Sequence, residues 1–152
     1  QKPTRRSASL ASKPVTFNTY PKWSKRPAPR QWKWPVNGQI SKRFSPTLGG
    51  NLGINIRGEK DSPVRAAANG IVVYSGTGVR GYGNLIIVKH NSSFLSAYAF
   101  TRSPRVRLGS TVHAGQIIAL MGHNNDGQPE LHFEIRQNGK PINPLRYLPA
   151  SA

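Results

Sequence analysis

Few side chains in this sequence can do metal or acid-base chemistry, and most of them crowd into one stretch near the C-terminus. Glu130, His132, Glu134 and Arg136 alternate there with Leu131, Phe133 and Ile135. Successive side chains of a strand point to opposite faces, so the four polar residues share one face and the three apolar ones face a core. His132 among carboxylates suggests a metal ligand. Zinc needs three protein ligands in most catalytic sites, and only His123 and Asp126 lie close enough in sequence to join Glu130 and His132. The linking residues Asn124, Asn125, Gly127 and Pro129 read as a loop with no visible means of fixing ligand geometry. His90 closes an apolar run and His113 sits among turn residues, and both read as structural. By the same alternation Tyr98 and Phe100 share a face, which predicts aromatic walls above a Glu/His/Arg floor. Glu134 and Arg136 can pair with each other, or the Arg136 fork can take carboxylates on a partner.

The elements that must position these residues are strands. Gly70 to Ser75, Asn84 to His90, Phe94 to Phe100, Gln116 to Met121 and Leu131 to Arg136 are β-branched or aromatic runs bounded by turn formers, an all-β signature. Asn69-Gly70 and Asn138-Gly139 read as tight turns, since both residue types tolerate positive φ. Gly139 to Pro144 cannot continue a central strand. The only helix-like stretch, Pro63 to Asn69, predicts a turn or two of helix. Neither a repeat nor a heptad is visible.

Composition shifts sharply near Trp34-Pro35. Residues 1 to 35 hold nine Lys/Arg, six prolines, no acid and no glycine, whereas all 15 glycines fall between Gly38 and Gly139. Frequent proline blocks helix propagation and uniform charge opposes collapse, so residues 1–35 predict a disordered tether and residues 36–152 one folded domain. Trp23, Trp32 and Trp34 stand out within the tether. Trp32 and Trp34 either dock its end onto the domain or stack on a ligand. The tether itself is either a spacer or a segment that folds back over the cleft through Trp23 and Trp32. A net charge of +17, with Glu59, Asp61, Asp126, Glu130 and Glu134 the only acids, favours anionic partners: nucleic acid, anionic lipid or the carboxylate-rich bacterial wall. No base-reading motif is present, which argues against nucleic acid. The chain lacks cysteine, excluding disulfides and thiolate metal sites, and it has no apolar run of membrane-spanning length. Starting at Gln1, it reads as a mature or trimmed fragment.

Ordered landmarks across about residues 34 to 148 resemble the LytM family of lysostaphin-type peptidoglycan endopeptidases. They are Trp34-Pro35-Val36, Pro63 to Gly70, Gly81-Tyr82-Gly83-Asn84, Val112 to Ile118, and Leu131 to Arg136 followed by Asn143-Pro144. The resemblance implies an antiparallel lysostaphin-like β domain of the duplicated-hybrid-motif type. Family peptidases carry His-x-Gly-x-Asp, Tyr-Ala-His and His-x-His patterns, where this chain has Asn51-Leu52-Gly53-Ile54-Asn55, Tyr98-Ala99-Phe100 and Glu130-Leu131-His132. The zinc positions thus map onto Asn51, Asn55 and His132, and the catalytic histidines onto Phe100 and Glu130. Four of these five positions are changed. Amide oxygen is a poor zinc donor and Phe100 cannot move a proton, so neither a cofactor nor catalysis is expected.

Such a domain resembles the non-catalytic LytM proteins of Gram-negative envelopes, the EnvC/NlpD type and within it the NlpD and ActS (YgeR) branch. That resemblance implies a periplasmic location, an outer-membrane lipid anchor outside these residues, and a periplasmic N-acetylmuramoyl-L-alanine amidase as partner. The empty groove of the family receives an amidase helix and relieves the autoinhibition of the amidase's own zinc centre. The expected partner groove comprises Asn51, Leu52, Asn55, Leu85, Tyr98, Phe100, Glu130, His132, Glu134 and Arg136. The alternative is a module that binds peptidoglycan without activating anything.

Overall fold

Short runs of β-branched and aromatic residues between glycine, asparagine and proline can close ladder hydrogen bonds but leave no room for long helices. The computed structural model describes residues 26–150 and holds eleven strands among them. These are β1 (Gln39–Lys42), β2 (Ile54–Arg57), β3 (Pro63–Arg65), β4 (Gly70–Gly76), β5 (Leu85–Lys89), β6 (Phe94–Ala99), β7 (Thr101–Arg102), β8 (Thr111–Val112), β9 (Ile117–Met121), β10 (Glu130–Gln137) and β11 (Lys140–Ile142). Among the described residues the only helical piece is a 3-10 turn, Pro144–Arg146, and no helix is long and apolar enough to cross a membrane.

All pairings are antiparallel. One sheet runs β1-β2-β10-β6-β5-β4-β8, with β11 paired to the end of β10, and a three-stranded sheet runs β3-β9-β7. Both sheets bury their inner faces in one cluster. Ile54, Ile56, Val72, Ile86, Val88, Tyr98, Leu131, Phe133 and Ile135 come from the large sheet, and Val64, Ile118, Ala119 and Met121 from the small one. Burying a side chain of this size stabilises by roughly 1.5–3 kcal/mol, so this shared layer is what fixes the strand that carries His132.

The five strands expected from sequence coincide with β4, β5, β6, β9 and β10, their ends differing by a residue. The helical expectation for Pro63 to Asn69 fails. Pro63–Arg65 is strand β3, and Ala66, Ala67 and Ala68 run buried and irregular through the core. Their backbone is claimed from outside: Ala66 N–H donates to Gln116 C=O and Ala67 N–H to the Tyr98 hydroxyl, overriding alanine's helix propensity. Asn138-Gly139 is the expected turn, with φ of 53° and 80° joining β10 to β11. At Asn69-Gly70, by contrast, neither φ is positive. Gly70 is required there for space, since a Cβ would lie 2.4 Å from the Lys89 carbonyl oxygen.

The folded unit reaches further upstream than residue 36. Trp32 is 3% exposed and packs edge-on against His90, Phe94 and Tyr147, and the Trp34 indole N–H donates to Pro149 C=O at 2.9 Å. Docking, not ligand stacking, is therefore what both indoles do. Lys33 N–H also donates to Ala67 C=O, adding a backbone tie. Trp23 and the rest of residues 1–25 lie outside the described residues.

Candidate functional site

Strand β10 lies between β2 and β6 and presents its polar side chains on the outer face of the large sheet. Register with β2 sets His132 opposite Asn55 and Glu130 opposite Arg57. Gly53 makes this approach possible, because a Cβ there would fall 2.1 Å from the Phe133 carbonyl oxygen.

The polar residues form a continuous ladder. The Asn51 amide N–H donates to the Gly53 carbonyl at 2.9 Å and to Asn55 Oδ1 at 3.1 Å. That same Asn55 oxygen lies 2.7 Å from His132 Nδ1, and His132 Nε2 lies 2.8 Å from Glu134 Oε2. Tyr82 donates its hydroxyl to Glu134 Oε2 at 2.7 Å, and Arg136 donates Nε to Glu134 Oε1 at 2.8 Å. At the other end Ser41 donates a short hydrogen bond to Glu130 Oε2, and the Asn124 amide donates to Oε1 at 2.7 Å. Glu130 thereby ties β1 to the 122–129 loop.

Charge within the ladder is matched. Burial opposes ionisation of Glu134, but hydrogen bonds from His132 and Tyr82 and the Arg136 charge outweigh it and hold the carboxyl below its usual range. Burial likewise opposes the Glu130 carboxylate, and hydrogen bonds from Ser41, Asn124 and Asn55, with the Arg57 charge, again outweigh it. Desolvation, then the neighbouring Glu134, push the Tyr82 hydroxyl up to about 12, so it remains a donor.

The zinc ion implied by the resemblance does not fit this donor set. Both ring nitrogens of His132 are taken up by neighbouring oxygens, Nδ1 by Asn55 and Nε2 by Glu134, so neither is turned toward an open metal position. Asn51 turns its amide nitrogen, not its oxygen, toward Asn55. His123 and Asp126 stay exposed on the loop, and no group of three or more His, Asp or Glu among the described residues is arranged to hold a metal.

Alternation fails at one point. Tyr98 is paired in register with Phe133, sits 5.4 Å from its ring and is fully buried, its hydroxyl joined to Ser96 and the Ala67 N–H. The sequence reading placed Tyr98 on the groove wall, but it belongs to the core. Phe100 does line the groove, because its φ of 64° ends β6 and swings the side chain to the opposite face. Its ring centroid lies 6.4 Å from that of His132. The second aromatic wall is Tyr82, edge-on to His132 at 5.8 Å. Sequence reasoning did not place Tyr82 in the site, although the flanking Gly81 and Gly83, both at positive φ, mark a loop bent to present it.

The remaining expected groove residues divide. Leu85 is on the outer face but buried with Ala97 and Ala99 beneath Tyr82, a support and not an open contact. Leu52 is 43% exposed on the rim. Asn51, Asn55, Phe100 and Arg136 are half-buried and open to the groove, whereas Glu130, His132 and Glu134 form its floor. Phe100 separates two hollows. One, of about 600 Å³, is lined by Gly83, Asn84, Arg102 and the 122–127 loop; the other, of about 390 Å³, by Ser41, Lys42, Asn55, Arg57 and Glu130.

An antiparallel sheet whose outer face carries this groove, closed over a small second sheet, defines a LytM-type β domain. Residues 49–144 match Peptidase family M23, and the chain belongs to that family. It is 52% identical over 118 residues to the murein hydrolase activator NlpD of Escherichia coli, covering 78% of this chain and 31% of that protein. Outer membrane antigenic lipoprotein B of Haemophilus influenzae is also 52% identical over 118 residues, covering 78% and 29%. The uncharacterized lipoprotein YgeR of E. coli is 41% identical over 150 residues, covering 98% and 60%. The chain thus spans about a third of the length of the first two. Helicobacter pylori Csd3 shares the fold with a TM-score of 0.70 at 29% identity, covering 82% of this chain and 36% of that one.

Proposed function

We propose that this chain is a non-catalytic activator of a periplasmic N-acetylmuramoyl-L-alanine amidase, binding it through the groove and relieving its autoinhibition. The observation that carries the reading is the closed ladder from Asn51 to Arg136, which occupies the metal positions with groups that satisfy one another. Such a floor can be complementary to a partner but has no activated water to deliver. The relative named a murein hydrolase activator supports activation, and those named lipoproteins support an envelope location.

Activation here is population shift. A domain that binds the open amidase better than the closed one moves that equilibrium by its differential affinity and needs no chemistry of its own. The test adds the purified chain to an autoinhibited amidase on dye-labelled sacculi. Release should rise with wild type and fall with Arg136→Ala while the fold stays intact. Unchanged release with wild type sinks the proposal, and stoichiometric zinc in a calorimetric titration sinks its non-catalytic half.

A second reading, a peptidoglycan-binding module, is favoured by the +17 charge against a carboxylate-rich wall. Co-sedimentation with sacculi and no effect on amidase rate is its signature.

A further inference from the structure

The groove uses the outer face of the large sheet. The small sheet also has an outer face, which points the other way from the shared core and which the proposed function leaves without a role. Its central strand β9 buries Ile118, Ala119 and Met121 but leaves Ile117 and Leu120 only partly buried. In register beside Leu120 stand Pro63 on one side and Arg102 on the other, and beside Ile117 stands Arg65. Arg105 continues the edge through its N–H to the Ile118 carbonyl. Arg65, Arg102 and Arg105 are all exposed. The result is a partly buried apolar strip with Arg65 and Arg102 at register positions beside it. Asp61 lies 3.2 Å from Arg102, and Glu59 belongs to the same turn. Arg65 is held in place by donating to the Gly115 carbonyl at 3.0 Å.

The geometry points to this face as a docking surface for an anionic phospholipid bilayer. Charge complementarity supplies the attraction, because three exposed arginines, Arg65, Arg102 and Arg105, lie on or beside this sheet. The apolar strip decides between anionic partners. Carboxylated glycan and duplex phosphate backbone offer little apolar surface to cover Ile117 and Leu120, whereas an interfacial layer accepts apolar side chains between headgroups. A sheet face is also the shape that a planar surface can meet at several points together.

The experiment is co-sedimentation of the full chain with vesicles of phosphatidylcholine alone or with 30% phosphatidylglycerol, a composition of about one anionic headgroup in three. Because the basic N-terminal segment also attracts anions, patch variants are compared with variants of equal charge change elsewhere. Arg65→Glu, Arg102→Glu and Arg105→Glu should each weaken binding to anionic vesicles about fivefold or more. Leu120→Ser should weaken it about fivefold with no charge change. Lys140→Glu and Arg146→Glu should lose far less, and phosphatidylcholine vesicles should bind none of them. Equal losses at patch and control sites, or an undiminished Leu120→Ser, overturn the proposal. So does a patch variant that keeps vesicle binding but loses retention on sacculi or DNA.

Discussion

His132 keeps the identity of a zinc ligand but not the surroundings of one. Glu134 accounts for the difference: fully buried, it collects His132, Tyr82 and Arg136 on two oxygens. Glu134→Gln removes the charge that these donors share, and should cost about 3 kcal/mol in urea unfolding, with a loss under 0.5 kcal/mol excluding the ladder as a structural unit. A second histidine predicts pH dependence. His90 donates Nδ1–H to the Asn69 carbonyl at 2.6 Å and accepts from Ser96 at Nε2, so the folded site holds it neutral. Burial lowers its pKa to about 4, against which the Asn69 bond works only partly. The unfolded chain binds this proton near pH 6.5 and the folded one near 4, so His90's contribution is complete above pH 6.5. Stability should then fall by about 1.4 kcal/mol per pH unit as pH drops from 6.5 toward 4. His90→Gln should flatten that slope in chemical denaturation at stepped pH. The sequence made the floor of the groove legible because β10 alternates without interruption. It misassigned Tyr98, because nothing local announces that Phe100, a residue with a Cβ, adopts positive φ.

At the scale of elements, long apolar runs gave themselves away and short ones did not. β1, β2, β3, β7, β8 and β11 have two to four residues each, and hydrogen bonds from their partner strands define them more than their own composition does. β3 shows this most plainly: alanines that favour helix continue it, yet Tyr98 and Gln116 take their backbone groups. The junction of β2 with β10 is the element contact on which the site depends. Gly53→Ala would push a methyl group into the Phe133 carbonyl, so the register of Asn55 against His132 must shift or the strand must part. We expect a loss of more than 2 kcal/mol, with weakened groove binding in whatever fraction folds. Native thermal stability in this variant would show that β2 has slack which the backbone geometry does not reveal.

For the molecule as a whole, the folded unit begins before the point at which composition changes. Trp32→Ala should cost about 3–5 kcal/mol, measured by thermal or urea unfolding, because Trp32 fills a site among His90, Phe94 and Tyr147. Removing residues 1–34 should likewise lower stability, because it deletes Trp32 and the Lys33 backbone tie to Ala67. Composition located the charge shift correctly but could not show which side of it an indole would join. The matched charges of the ladder carry one more consequence, a kinetic one. Glu134 answers Arg136 and Glu130 lies in the field of Arg57, so the groove floor presents little unbalanced charge to an approaching partner. The excess positive charge sits elsewhere on the surface. Encounter and residence are thus governed by different parts of the molecule. Added salt should slow association with an acidic partner several-fold while leaving the dissociation rate nearly constant.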